Sequence, residues 1–248
     1  MSRHSPIRTG DQALVREINL SLIMNYLREH APVSRAALAE MTGLNKTTVS
    51  SLVRELIDYH FVHEVGLDTA GVGRPAVLLE LNPAAGHIVS VDIGVDYISV
   101  IRANFAAEVV WRHRESIRHS SQDAIITRLL NLICEAARPE GNEGPLLGVA
   151  VGVPGLVDES NGTLLFAPNL GWRDVPMRAI VQEVCTAPVF VDNEANMAAL
   201  GEYYFGSAQG CDDVLYISVE VGLGGAIVRN GVLFKGRTGF AGEFGHMT

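Results

Sequence analysis

Cysteine is scarce in this sequence. Cys134, Cys185 and Cys211 lie far apart, an odd number without metal-ligand spacing, so a disulfide framework is excluded and a reducing, cytoplasmic setting is expected. No apolar run approaches the ~18 residues that a membrane helix needs, and no membrane partner is expected. The first residues, MSRHSPIRTGDQ, lack the apolar core of a secretory signal. Excess positive charge is missing too: the chain of 248 residues has a formal net charge of −9. Charged residues are only 19% against 48% hydrophobic, which excludes disorder and supports a buried core. The charge is uneven. Residues 1–75 hold 8 Lys+Arg and 8 Asp+Glu, so the acidity belongs to the remainder. An acidic body on a neutral head is not a general polyanion binder, and any nucleic-acid contact should come from the head.

The head reads as three helices and a hairpin. Residues 17–30 place Ile18, Leu22, Ile23, Tyr26 and Leu27 at helical spacing, ended by Ala31-Pro32. Ser34 can cap a helix through Met41, Gly43 breaks it, and Asn45 can cap a third. Small Ala39 permits a close helix crossing, while Leu38, Leu44, Val49 and Leu52 form a shared core. This is helix-turn-helix spacing. It points Asn45, Lys46, Thr47, Thr48 and Ser51 at a DNA major groove. The loop GLDTAGVGRP then resembles a wing with Arg74 at its tip, suited to a narrow minor groove. A helical protein-interaction module is the plainer alternative. With no net charge, the head needs two copies on a two-fold operator for specificity, so a homodimer or higher homo-oligomer is expected.

Pro83 to Gly86 is the best linker. It divides a winged helix-turn-helix domain, 1–83, from an α/β domain, 84–248, whose first lobe covers about 84–199 and whose second begins at 200. Strands are expected at 88–94, 97–103, 107–113, 146–153, 189–191, 213–219 and 225–229. Helices are expected at 121–138, 176–185 and 195–204.

Five blocks in the body carry a resemblance: GVAVGVPGLVD (148–158), APNLGW (167–172), VDNEANMAALGE (191–202), YISVEVGLGGAIVRNGVLFKG (216–236) and GFAGEFGHM (239–247). Together with the head they resemble the ROK family of repressors and sugar kinases. The resemblance implies an actin-like, ribonuclease H-like fold with a sugar between two lobes. It implies that Asn193, Glu243 and His246 hydrogen-bond the sugar, and that Glu194 stands where the kinases carry a catalytic Asp. Asn193 has a plainer role open to it, capping the following helix, and Glu243 and His246 could be surface loop residues. His246 also ligates a structural zinc in many members, with downstream cysteines. No cysteine follows Cys211, so no cofactor is expected in these 248 residues, and zinc only in a longer form.

The resemblance also exposes departures. The kinases' first phosphate loop reads Asp-x-Gly-Gly-Thr; here Asp92 and Gly94 remain, but Val95 and Asp96 replace Gly and Thr. In the second, Gly-Thr-Gly-x-Gly becomes Glu220-Val221-Gly222-Leu223-Gly224. A like-charge contact at ~4 Å costs about 1 kcal/mol in water and about 4 at an effective dielectric of 20. Glu194 is one methylene longer than Asp. The expectation is therefore a non-enzymatic, sugar-responsive regulator of carbohydrate-metabolism genes, acting as a repressor on operator DNA. An active ATP-dependent sugar kinase carrying a DNA-binding module is the alternative. The chain is also expected to be a truncated product, metal-free, weak in sugar binding, and prone to associate through an apolar face of strands 213–219 and 225–229.

Overall fold

The computed structural model describes residues 12–68, 75–141, 143–219, 221–236 and 241–242. They divide into two compact units. One holds the residues up to 85 together with 105–107; the other holds 86–104 and 108 onward.

In the first unit, α1 (Gln12–His30) leads to β1 (Val33–Ser34), α2 (Arg35–Thr42), α3 (Lys46–Asp58), β2 (Val62–Asp68) and β3 (Ala76–Leu81). The helix boundaries follow from local chemistry. Ser34 accepts from Ala37 N and caps α2, while Gly43, at φ +69°, ends it in the left-handed conformation that favours glycine. Asn45 then caps α3 by accepting from Thr48 N at 2.8 Å. Helix α3 buries Val49, Leu52, Val53 and Leu56, one stripe at helical spacing. They join Ile23, Leu27, Leu38, Ala39 and Leu79 in one core. Burying each of the large aliphatic side chains contributes roughly 1.5–3 kcal/mol. The expected helix from 17 begins by 12, and Ile18 is 57% exposed rather than part of the core. Strand β2 runs from Val62 to Asp68, and the short sheet runs β1-β3-β2, all antiparallel.

The second unit begins with β4 (His87–Ile93), β5 (Tyr97–Asn104), β6 (Val109–Ser116), α4 (Gln122–Ala136) and β7 (Leu146–Val153). Next come β8 (Leu156–Asp158), β9 (Thr163–Ala167), β10 (Trp172–Val175), α5 (Met177–Gln182), β11 (Val189–Asn193) and α6 (Glu194–Phe205). Strands β12 (Asp213–Val219), β13 (Leu223–Arg229) and β14 (Val232–Leu233) end the described elements. The main sheet runs β11-β7-β4-β5-β6. An antiparallel meander, β4 to β6, is extended by β7 and β11, both parallel to β4. This is the ribonuclease H-like order expected of the actin-like sugar kinases. Val89, Val91, Val149 and Val151 are buried between α4 and the layers around it, and β7 reads as a near-continuous apolar run.

Five short strands escaped the sequence reading: β1, β8, β9, β10 and β14. Strands β8, β9 and β10 form their own antiparallel sheet, entered through Gly155 at φ +106°. A Cβ on Gly155 would lie 2.2 Å from the Phe166 carbonyl oxygen, so this turn admits only glycine. The helix expected over 176–185 is shorter, Met177–Gln182.

The remaining sheet runs β12-β13-β14. One face packs on α6 through Ala199, Ala226 and Val228. On the other side Leu215, Ile217 and Val219 are 54–77% exposed. That is the apolar face expected of these strands. Among the described residues no helix is long and apolar enough to cross a membrane.

Candidate functional site

The first unit presents the outer face of α3. Lys46, Thr47, Ser50 and Ser51 are exposed and Thr48 is half-buried, around a helix whose opposite stripe is sealed in the core. Asn45 is exposed, but its side chain is engaged as the cap. Arg54 shares this face, one turn beyond Ser50 and Ser51, and is exposed. The sequence reading missed it because it stopped at the helix's first turns, although the spacing 47, 50, 51, 54 was there to be read. Arg74 lies outside the described residues.

The second unit encloses a cavity of about 280 Å³ among the C-terminal end of β4, α6 and β12. Its polar lining comprises Ser90, Asp92, Tyr97, Glu194, Tyr216 and Ser218. Helix α6 starts here because Asn193 caps it, accepting from Ala195 N at 2.8 Å and Asn196 N at 3.4 Å. The Asn193 amide donates to the Gly155 carbonyl at 2.9 Å. The capping role open to Asn193 in the sequence is therefore realised, and its side chain is held rigid. Glu194, in the first turn of α6, lines the cavity. Gly152 lets β7 approach this helix: a Cβ there would lie 3.3 Å from Met197 Sδ.

The loop between β4 and β5 is filled by its own chain. Gly94 N donates to the Tyr97 carbonyl at 2.9 Å, closing the turn. The Tyr97 ring lies over Gly94, so near that a Cβ at Gly94 would be 2.3 Å from Cε1. The Tyr97 hydroxyl donates to Asp92 Oδ2 at 2.7 Å. The Arg114 guanidinium stacks on the Tyr97 ring, 3.9 Å from its centroid. Burial pushes the Asp92 carboxyl above its ordinary range, opposed by the Tyr97 hydroxyl and the charge of Arg114.

Asp96 requires a correction. Its carboxylate accepts from Arg118 Nε at 2.9 Å and Nη2 at 2.5 Å. A carboxylate paired this way exerts much less coulombic repulsion on a phosphate than the sequence suggested. The Tyr97 ring packs against this loop, and its hydroxyl bonds Asp92. Glu220, Glu243 and His246 lie outside the described residues. Among the described residues no group of three or more His, Cys, Asp or Glu could hold a metal.

Fold and cavity together define a class: a winged helix-turn-helix unit joined to a unit of the actin-like sugar-kinase kind. Residues 16–62 match the winged helix-turn-helix DNA-binding family and residues 88–248 match the ROK family. The chain belongs to the ROK family. The xylose repressor of Caldicellulosiruptor bescii is 40% identical over 241 residues, 96% of this chain and 60% of that protein. A solved ROK family transcriptional regulator, described as a homolog of the E. coli MLC protein, superposes with a TM-score of 0.74 at 30% identity. That match covers 94% of this chain and 59% of the other. A ROK family glucokinase from Streptomyces griseus, solved with glucose and AMPPNP, superposes with a TM-score of 0.59 at 34% identity, over 65% of this chain and 50% of the enzyme. The chain thus spans about 60% of the length of the repressor relatives it matches.

Proposed function

We propose that this chain acts as a sugar-responsive transcriptional repressor that binds operator DNA and does not transfer phosphate. The observation that carries the reading is the Asn45-capped helix α3, with Lys46, Thr47, Ser51 and Arg54 on its exposed face. Short hydroxyl and cationic side chains at the start of such a helix suit base edges and phosphates of the major groove. Arg74 would serve the adjacent minor groove. Two copies of the chain on a two-fold operator would supply specificity that a head without net charge lacks.

In the second unit, Glu194 lines the cavity and Asn193 caps the helix that starts beside it, and Glu243 and His246 would join them around a sugar. Carboxylates accept from sugar hydroxyls, and an amide both donates and accepts. D-xylose is the first sugar to try, because a relative bears the name xylose repressor. Sugar binding that favours one state of the protein would lower operator affinity by linkage. The Tyr97 ring over Gly94 supports the absence of phosphoryl transfer. Zinc would belong only to a longer chain that supplies the cysteines.

The rival is an active sugar kinase bearing a DNA-binding unit, and the glucokinase likeness favours testing it. The test has two arms. The chain is titrated with promoter fragments against random DNA, with and without each of a panel of sugars. Coupled assays measure ADP release with the same sugars. Operator preference that a sugar weakens, with no ADP release, is the expected result. Sugar-dependent ATP hydrolysis abolished by Glu194→Gln would replace the repressor reading with the kinase.

A further inference from the structure

The loop after β14 carries a cation held between two carboxylates. Lys235 Nζ lies 2.6 Å from Asp192 Oδ2 and 2.7 Å from Glu159 Oε2. The Lys235 and Asp192 side chains are 24% and 18% exposed, so this pair is largely withdrawn from solvent, whereas Glu159 is 62% exposed. The partners lie 43 and 76 residues away in the chain, so only the fold brings them together. Burial opposes the ammonium charge, but the hydrogen bonds to Asp192 and Glu159 outweigh it and hold Lys235 above its ordinary range.

Asp192 is the centre of the arrangement. While Oδ2 takes Lys235, Oδ1 accepts from Asn193 N at 2.7 Å and from Asn196 Nδ2 at 2.9 Å. The same carboxylate therefore fixes the backbone entering α6, where Asn193 and Glu194 stand. The Lys235 carbonyl, for its part, accepts from Ala241 N at 3.2 Å. Gly242 packs so closely on β13 that a Cβ there would lie 2.6 Å from the Gly225 carbonyl oxygen. One side chain thus joins the exit of the β12-β13-β14 sheet to the end of β11.

We propose that Lys235 is a positioning residue for the ligand cavity, locking the β12-β13-β14 sheet onto the end of β11 through Asp192 and Glu159 and thereby setting effector affinity. This rests on the sugar-binding reading above. Lys235 does not line the cavity and contributes no contact to it. Its effect runs through Asp192, which without its cation is left a half-buried carboxylate free to turn toward solvent, releasing Asn193 N.

The test uses the full chain with Lys235→Met, Lys235→Arg and Asp192→Asn, titrated calorimetrically with D-xylose and the sugar panel, and separately with an operator fragment in the absence of sugar. Losing a charge-assisted hydrogen bond should weaken sugar binding about tenfold in Lys235→Met. Arginine should recover most of it, and operator affinity should stay at the wild-type level in all three. A merely structural role would lower the melting temperature and leave the sugar dissociation constant unchanged. That outcome overturns the inference and leaves the repressor reading intact. Should Lys235→Met fail to fold, Asp192→Asn decides: it removes the carboxylate charge that Lys235 holds, and unchanged sugar affinity there overturns the inference equally. A wild-type chain that binds no sugar removes the sugar-binding reading and this inference together.

Discussion

The Tyr97 hydroxyl donates to Asp92 Oδ2 at 2.7 Å, across the loop in which both residues stand. With the Gly94 N to Tyr97 carbonyl bond, it closes the turn between β4 and β5 on itself.

Asp92 should be a source of pH-dependent stability. Its folded pKa is raised by burial, so its contribution favours the folded state below its unfolded value, near 3.8, and is lost as pH rises through the folded value. Asp92→Asn, whose amide oxygen can still accept from Tyr97, should therefore gain stability relative to wild type at pH 7 and lose that advantage near pH 4. Thermal melts of the two proteins across this range check it; a constant difference would show that Asp92 does not titrate abnormally.

Glu115 should act in the opposite sense. Its carboxyl is lowered to about 2, chiefly by the hydrogen bond from Arg128, with His113 assisting against some burial. Arg128 Nε and Nη2 each donate at 2.7 Å. A depressed carboxyl stabilises the fold above its unfolded value, near 4.5, and the contribution fades as pH falls toward 2. Arg128→Met should remove much of this acid-sensitive part. Its melting temperature should lie below wild type at pH 6, with the gap closing as pH drops toward 3.

On the head, Lys46→Ala and Arg54→Ala should weaken binding to operator and random DNA alike. Each should reduce the slope of log affinity against log salt by about 0.9 if it neutralises one phosphate. Thr47→Ala and Ser51→Ala should instead reduce preference for the operator, by about 1 kcal/mol where a hydroxyl hydrogen bond to a base edge is lost. Salt-dependent anisotropy titrations separate the two behaviours. Unchanged salt slopes in the first pair would remove those residues from the interface.

Asn45→Ala should cost about 1 kcal/mol of stability by uncapping α3. Asn45→Asp should preserve the cap and the melting temperature. Chemical denaturation of the three proteins measures this, and a destabilised aspartate variant would show that the cap is not what Asn45 provides.

Much of this protein was legible along the chain because the governing interactions are short-ranged. Ser34 and Asn45 cap helices that start beside them, Gly43 turns the chain where it sits, and the apolar stripe of α3 repeats within one helix. Strand β12 runs from Asp213 to Val219, the range expected from the sequence. The ROK motifs announced the family in the same way. Strands β8 to β10 are too short to show a period, so the sheet they form was invisible until Gly155 turned β7 back toward β9. The tertiary structure alone decided the state of the charges. Asp96 reads in sequence as a carboxylate facing phosphate, yet Arg118, held 22 residues away, pairs with it. Tyr97 reads as one more strand residue, yet it covers Gly94 and caps Asp92. Lys235 carries no mark in the sequence, yet it is held between Asp192 and Glu159. A charge takes its meaning from the partner within about 4 Å, and that partner is set by sheet register and packing, which no local window of residues encodes.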